Sequence, residues 1–339
     1  MKLPQVNELN LFSKKVLLRT NYDVPLREKG NKIADTARID ESLPTIEYLF
    51  KKNAEVIIIS HLGRPKGEVT PSLSLKPVAE YLGELLEQEV PLVTEIDKLS
   101  EQNESVVLLE NLRFFKGEED NDKEFALSLS KQADFFVNEA FACSHRSHAS
   151  IVGLPQLLPF AFGFDFIKEI ETLSALRKEA KHPLVVILGG IKKGKLSRVK
   201  DLANWADYVL IGGKLASFMD DDFPTNVIKA KLNPENKDIT LESLKEFEKI
   251  IKQSKTVVWA GPMGMFEEEQ FSRGTKMLAD MITKTNAFTV IGGGDTQAAL
   301  SKFGQDRKVN FISSGGGAML RFLAENSLPA IEVLKKEND

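Results

Sequence analysis

One cysteine, Cys143, stands in a chain of 339 residues, which excludes an internal disulfide and any cysteine-based zinc site. It lies in Ala142-Cys143-Ser144, near His145 and His148, and reads as a small buried residue at a strand end in preference to a nucleophile. An excess of either charge is also missing. The net charge is −4 with acids and bases mixed along the chain, so no broad basic field exists of the kind duplex nucleic acid needs. Uninterrupted apolar runs of membrane-spanning length are absent, and Met1-Lys2-Leu3-Pro4 has no apolar signal core. The cytoplasm is therefore the expected compartment, with neither nucleic acid nor membrane as partner. There is no low-complexity tract or short repeat.

What is present is a 42% hydrophobic composition, enough for ample core, on a length that suggests two domains. Short apolar runs alternate with helical stretches, the pattern of a parallel sheet covered by helices on both faces. The strand-like runs are Val16 to Leu18, Val56 to Ile59, Val106 to Leu109 and Phe135 to Val137, then Leu184 to Leu188, Tyr208 to Ile211, Thr256 to Trp259, Phe288 to Ile291 and Val309 to Ile312. Helical spacing is expected over Asp40 to Lys52, Leu75 to Gln88, Asp122 to Gln132, Leu241 to Gln253 and Glu268 to Thr283. Between the halves, Pro155, Pro159 and Gly163 interrupt an apolar stretch from Leu154 to Phe164, which marks the break between packing units. The expected division is an N-terminal domain over residues 1–163, a hinge helix over 164–182, a second domain over 183–325 and a tail over 326–339.

Ligands of open parallel sheets bind beyond the carboxyl ends of the strands. In the first half these ends carry Arg19 to Asp23, His61 to Pro65, Glu110 to Phe114 and Asn138 to His148, with Arg38 added from a helix start. Several arginines on one sheet edge imply a small, multiply anionic ligand. His61 fits an acid or base, or a donor to the ligand's oxygens. In the second half the strand ends are glycine-rich: Gly189-Gly190, Gly212-Gly213, Gly261 to Gly264, Gly292-Gly293-Gly294-Asp295-Thr296 and Ser314-Gly315-Gly316-Gly317. Glycine turns that open helices bring N–H groups and the positive dipole end to phosphate, and Asp295 is the carboxylate to hold a magnesium ion. Close helix–sheet packing is the other use of such turns, though two triplets in succession favour phosphate. Gly189 to Lys195 has Walker A spacing, but Leu196 replaces the magnesium-binding hydroxyl residue, so a P-loop match is accidental.

The chain resembles the phosphoglycerate kinases. The resemblance rests on Asp35-Thr36-Ala37-Arg38-Ile39, His61-Leu62-Gly63-Arg64-Pro65, Leu109 to Phe114, His145 to Ser150, Gly261 to Glu267, Gly292 to Thr296 and Ser314 to Ala318. It implies two Rossmann-like domains, the first binding 3-phosphoglycerate or 1,3-bisphosphoglycerate and the second magnesium ADP or ATP, with the C-terminal tail returning to the first. Domain closure about the hinge before reaction is part of the same implication. Asn21, Asp23, Arg38, His61, Arg64, Arg113 and Arg146 would then hold the phosphoglycerate. Gly190, Lys192, Lys195, Gly213, Glu267, Gly293, Gly294, Asp295 and Thr296 would serve the nucleotide, with Asp295 on the metal and Glu267 on the ribose. Arg38 and Lys192, with the helix starts at Gly293 and Gly316, would stabilise the transferring phosphoryl group. A monomer is the expected state.

Four departures from the family pattern stand out. Asn21 and Asp23 occur in reversed order, the lysine loop Gly190 to Lys195 is one residue short, Ala260 replaces an asparagine, and the stretch from Lys214 to Lys255 is much reduced. That stretch includes part of the wall beside the adenine in the family. It leaves a strand over Asn226 to Leu232, preceded by Asp220-Asp221-Asp222, a solvated turn in preference to a metal site. Two rival readings remain at this level: a catalytically silent descendant that binds a phosphometabolite or nucleotide, and, weaker, a P-loop NTPase.

Overall fold

The computed structural model describes residues 2–27, 32–220 and 222–335, the Arg307 side chain excepted; Asp221 of the acidic run and residues 336–339 of the tail lie outside them. The fold is α/β, with two compact units, Met1–Glu171 with Leu328–Asp339, and Thr172–Ser327.

The first unit is built on β1 (Lys15–Arg19), β2 (Glu55–Ile59), β3 (Leu92–Val93), β4 (Val106–Leu109), β5 (Phe135–Asn138) and β6 (Phe160–Phe162). All neighbours pair in parallel, in the order β3-β4-β2-β1-β5-β6. Val16 to Arg19 and all of β4 are buried on both faces, which is why these strands read as unbroken apolar runs. Helices Leu43–Lys51 and Lys76–Leu86 bury Ile46, Leu49, Val78 and Leu82 in the core below.

The second unit repeats the plan with β7 (Leu184–Leu188), β8 (Tyr208–Ile211), β9 (Val227–Lys229), β10 (Thr256–Ala260), β11 (Phe288–Gly292) and β12 (Phe311–Ser313), in the order β12-β11-β10-β7-β8-β9. Its core gathers Val185, Ile187, Phe247, Trp259, Leu278 and Ile291, all fully buried or nearly so.

Two strands escape the sequence pattern. β3 has only two residues, and β6 lies inside the stretch expected to separate the packing units. Pro159 directly precedes β6, and its carbonyl accepts from Phe136 N at 3.0 Å; at a strand's start the missing N–H costs nothing, so a proline there admits an edge strand. The chain passes between units farther on, within the helix Phe164–Glu179, between Glu171 and Thr172. The start of that helix is tied to β5: Glu139, directly after the strand, accepts from Thr45 Oγ1 at 2.7 Å and from Asp165 N at 3.1 Å. The tail residues Pro329–Glu332 form a short helix whose Ala330 N donates to Ser144 O at 3.3 Å.

Candidate active site

On the first unit, β4, β2, β1 and β5 are consecutive neighbours, so their carboxyl ends deliver adjacent residues to one edge. Asp23 Oδ1 accepts from Gly63 N at 2.9 Å, Arg113 Nη1 donates to Gly63 O at 2.6 Å, and Arg38 Nη1 donates to Asp23 O. These contacts bring together Asp23, Arg38, Arg113 and the loop that carries His61 and Arg64. Arg64 is exposed and Arg146 half-buried, and the side chain of neither makes a hydrogen bond or ion pair with the described residues. Asn21 is buried with its Nδ2 unpartnered, and Arg113 Nε also lacks a hydrogen-bond partner, although Glu119 lies 3.4 Å from it. Buried donors without acceptors are rare unless a ligand supplies the acceptor. The reversal of Asn21 and Asp23 therefore has a visible consequence: the carboxylate is spent partly on Gly63, and the amide keeps a free donor.

Behind this layer is a buried ionic network that the sequence reading missed. Arg19 and Glu118 are both fully buried, with Arg19 Nη2 3.6 Å from Glu118 Oε1. Ser150 donates to Glu118 through its N at 3.0 Å and its Oγ at 2.6 Å, and Arg19 Nε donates to Ser150 Oγ at 2.8 Å. Burial pushes the Glu118 carboxyl up, but neighbouring His148, Arg19 and Ser150 together hold it below its usual range. His61 is pushed far below the ordinary imidazole range by burial first and then by Arg19, Arg113 and Arg38, so it is neutral. Cys143 is buried, and burial pushes its thiol up, against a nucleophilic role.

On the second unit the ends of β12, β11, β10, β7 and β8 are consecutive, and all five turn on glycine. The turns touch backbone to backbone. A Cβ on Gly189 would sit 2.3 Å from Pro262 O, and one on Gly213, at φ +58°, 2.7 Å from the same atom. The two triplets meet likewise: a Cβ on Gly316 would lie 2.8 Å from Gly292 O. Close packing and open space are divided among the glycines. Gly292 is a packing residue, its Cβ position lying 2.4 Å from Met319 Cε, whereas Gly293, at φ +95°, has nothing nearer than 3.5 Å and precedes the helix Gly294–Lys302. Gly315 precedes the helix Gly316–Glu325 in the same way. First-turn N–H groups of a helix have no partner within it and attract anions.

Lys195 Nζ donates to Gly189 O at 2.8 Å and Ala260 O at 2.9 Å, joining the β7 and β10 turns and keeping one donor to spare. Burial and nearby Lys192 lower this ammonium to about 8, with Asp295 acting in the opposite direction; all three side chains therefore share one neighbourhood. Lys192 and Asp295 are exposed, and neither side chain makes a hydrogen bond or ion pair with the described residues. Thr296 is different. Its hydroxyl accepts from Gly261 N at 2.7 Å and donates to Gly292 O at 3.1 Å, so it staples the β10 turn to the β11 turn and its single proton is committed there. Glu267 is exposed on the loop after β10, anchored by Lys302 Nζ donating to its carbonyl at 3.1 Å.

The shortened stretch forms β9 and a turn closed by the pairing of Leu232 with Ile239. Buried Asp238 accepts from Ile239 N and Gly274 N, each at 2.8 Å, and Met265 N donates to Lys237 O at 2.9 Å. This turn abuts the loop that leads to Glu267. In the acidic run, Asp222 pairs with Lys200 at 2.7 Å, and no group of three or more His, Cys, Asp or Glu among the described residues is placed to hold a metal ion.

The family model for phosphoglycerate kinase matches residues 6–231 and 220–326. The chain belongs to the phosphoglycerate kinase family. The two matched stretches overlap at residues 220–231, within the shortened interval. The phosphoglycerate kinase of Borrelia garinii subsp. bavariensis is 39% identical over 395 aligned positions, covering 99% of this chain and 100% of the relative. With 339 residues here, at least 56 of those positions (395 less 339) face a gap. Among solved structures, the phosphoglycerate kinase of Coxiella burnetii superposes with a TM-score of 0.79 at 31% identity, covering 100% of both chains. That of Pyrococcus horikoshii gives 0.83 at 29% identity, covering 98% of both.

Proposed function

We propose that this member of the phosphoglycerate kinase family catalyses reversible phosphoryl transfer between 1,3-bisphosphoglycerate and ADP, giving 3-phosphoglycerate and ATP, as a cytoplasmic monomer of glycolysis and gluconeogenesis. The observation that carries this reading is the presence of two chemically distinct phosphate-binding edges, an arginine edge with orphaned donors on one unit and a glycine edge with exposed Lys192 on the other. A silent descendant has no need of both. Arg38, Arg64, Arg113, Arg146, His61 and Asn21 hold the phosphoglycerate, and the helix starts at Gly293 and Gly316 with Lys195 hold the nucleotide phosphates. Asp295, one exposed carboxylate with no hydrogen-bond or ion-pair partner among the described residues, suits magnesium, which takes one or two carboxylates and completes its shell with phosphate and water. Bound there, the ion would neutralise phosphate charge. Neither nucleophile, a carboxylate or a nucleotide β-phosphate oxygen, has a proton to lose, so alignment and charge stabilisation by Arg38 and Lys192 suffice without a base. Turnover of 3-phosphoglycerate with magnesium ATP in a coupled assay tests the reading; binding of both ligands without turnover would favour the silent descendant.

Lys195 makes the nucleotide side pH-dependent. Only its protonated form pairs with phosphate, so kcat/KM for ATP should fall as pH rises through about 8. In Lys195→Arg this descending limb should disappear from the pH profile, since a guanidinium stays charged.

The reduced interval from Lys214 to Lys255 removes adenine-side wall while the phosphate cradle stays whole. Base discrimination should therefore be weak, with kcat/KM for ATP and GTP within about tenfold, or ~1.4 kcal/mol. A hundredfold preference for ATP would show that the turn at residues 232–239 has rebuilt a selective base pocket.

A further inference from the structure

We propose that Arg19 is a positioning residue that fixes His61 as a neutral imidazole protonated on Nε2, so that the ring offers the acceptor substrate a single, permanently set N–H donor. This rests on the phosphoglycerate half-site proposed above and answers which of the possible roles His61 has.

The assignment follows from donor inventory. Arg19 Nη2 lies 3.2 Å from His61 Nδ1. A guanidinium carries only donors, so Nδ1 must be the acceptor, and a neutral ring accepting on Nδ1 carries its proton on Nε2. The guanidinium cannot turn away. Its Nε is committed to Ser150 Oγ at 2.8 Å, its Nη1 to Thr20 O at 2.5 Å, and Glu118 Oε1 stands 3.6 Å from Nη2. Glu118 is itself locked by two hydrogen bonds from Ser150. Three sequence-distant segments, the ends of β1 and β2 and the helical turn Ala149–Gly153 that carries Ser150, thus converge to orient one imidazole.

Protonating Nδ1 would set an N–H against an N–H and a second positive charge beside a buried guanidinium. The charged and titratable groups acting on His61 are Arg19 from β1, Arg113 from beyond β4, Arg38 from its helix start and His148 from beyond β5, and each opposes imidazolium in addition to burial. Of the nearby carboxylates, Glu118 is occupied by Arg19 and Ser150, Asp23 accepts from Gly63 N, and Glu119 lies against Arg113. The ring is therefore no acid or base at neutral pH. It adds a directed neutral donor to a site already rich in fixed positive charge.

The test is long-range nitrogen–proton correlation NMR on the full-length protein without ligand, with the His61 signals assigned by His61→Gln among the four histidines. The expected result is a bare Nδ1 and a protonated Nε2, unchanged from about pH 5.5 to 8 against an ordinary imidazole midpoint near 6.5. In Arg19→Lys, which keeps the charge and loses the planar fork, the tautomer should become mixed and KM for 3-phosphoglycerate should rise about tenfold or more, with KM for ATP unmoved. His61→Gln, which retains an N–H donor, should keep much more 3-phosphoglycerate affinity than His61→Phe. A protonated Nδ1, a titration near 6.5, or equal losses in Gln and Phe variants would overturn the proposal. The NMR readout needs no substrate, so its failure is separable from a failure of the wild type to turn over 3-phosphoglycerate.

Discussion

Lys192→Ala should lower kcat by about 10²–10³-fold, ~3–4 kcal/mol, the range for losing one preorganised group aimed at transition-state charge. Lys192 follows the β7 turn, is exposed, has no hydrogen-bond or ion-pair partner among the described residues and shares its neighbourhood with Lys195 and Asp295. None of the described residues uses its ammonium, so the substitution should leave stability within about 0.5 kcal/mol. It should also change KM for ATP little, because Lys195 and the helix starts remain. Steady-state kinetics beside a thermal melt check both halves: a large loss of kcat with an unmoved melting temperature is the expected pair. A loss of less than tenfold would mean that Lys192 does not reach the phosphoryl group.

Glu118→Ala should destabilise the first unit by about 3–5 kcal/mol, because it leaves Arg19 charged, buried and without its counter-ion. The pair is not a surface ion pair of negligible worth: both side chains are fully buried, and Ser150 would lose its acceptor in the same change. Glu118→Gln keeps the shape and an acceptor oxygen, and should cost less. Denaturant unfolding of both variants is the measurement. An alanine variant as stable as the wild type would mean that the surrounding hydrogen bonds, and not the carboxylate's charge, neutralise Arg19.

Legibility in the sequence followed packing. The long buried strands and the amphipathic helices repeat with a period that their burial imposes, so β7, with all five residues buried, is read to its ends. β3 and β6 are two and three residues long, too short for a period, and the prolines around β6 point toward a break. In the candidate site, residues directly after strands were legible because topology alone sets their place. Glu118 was not: in Lys116-Gly117-Glu118-Glu119 it looks like one more solvated helix charge, and only the fold turns it onto Arg19. Thr296 has a second use that the motif does not reveal: its hydroxyl joins Gly261 N to Gly292 O, a link that only the packing of two strand ends creates.

The central claim is that each unit holds its own ligand. Its most direct measurement is calorimetric titration of Arg64→Ala and Asp295→Ala with 3-phosphoglycerate and with magnesium ADP. Both residues are exposed and unbonded, so neither substitution should disturb the fold. Arg64→Ala should weaken 3-phosphoglycerate binding by about tenfold or more, on the scale of a charge-assisted hydrogen bond, and leave magnesium ADP unchanged; Asp295→Ala should do the reverse. Loss of both ligands in one variant, or of neither in both, would contradict the assignment of one ligand to each unit.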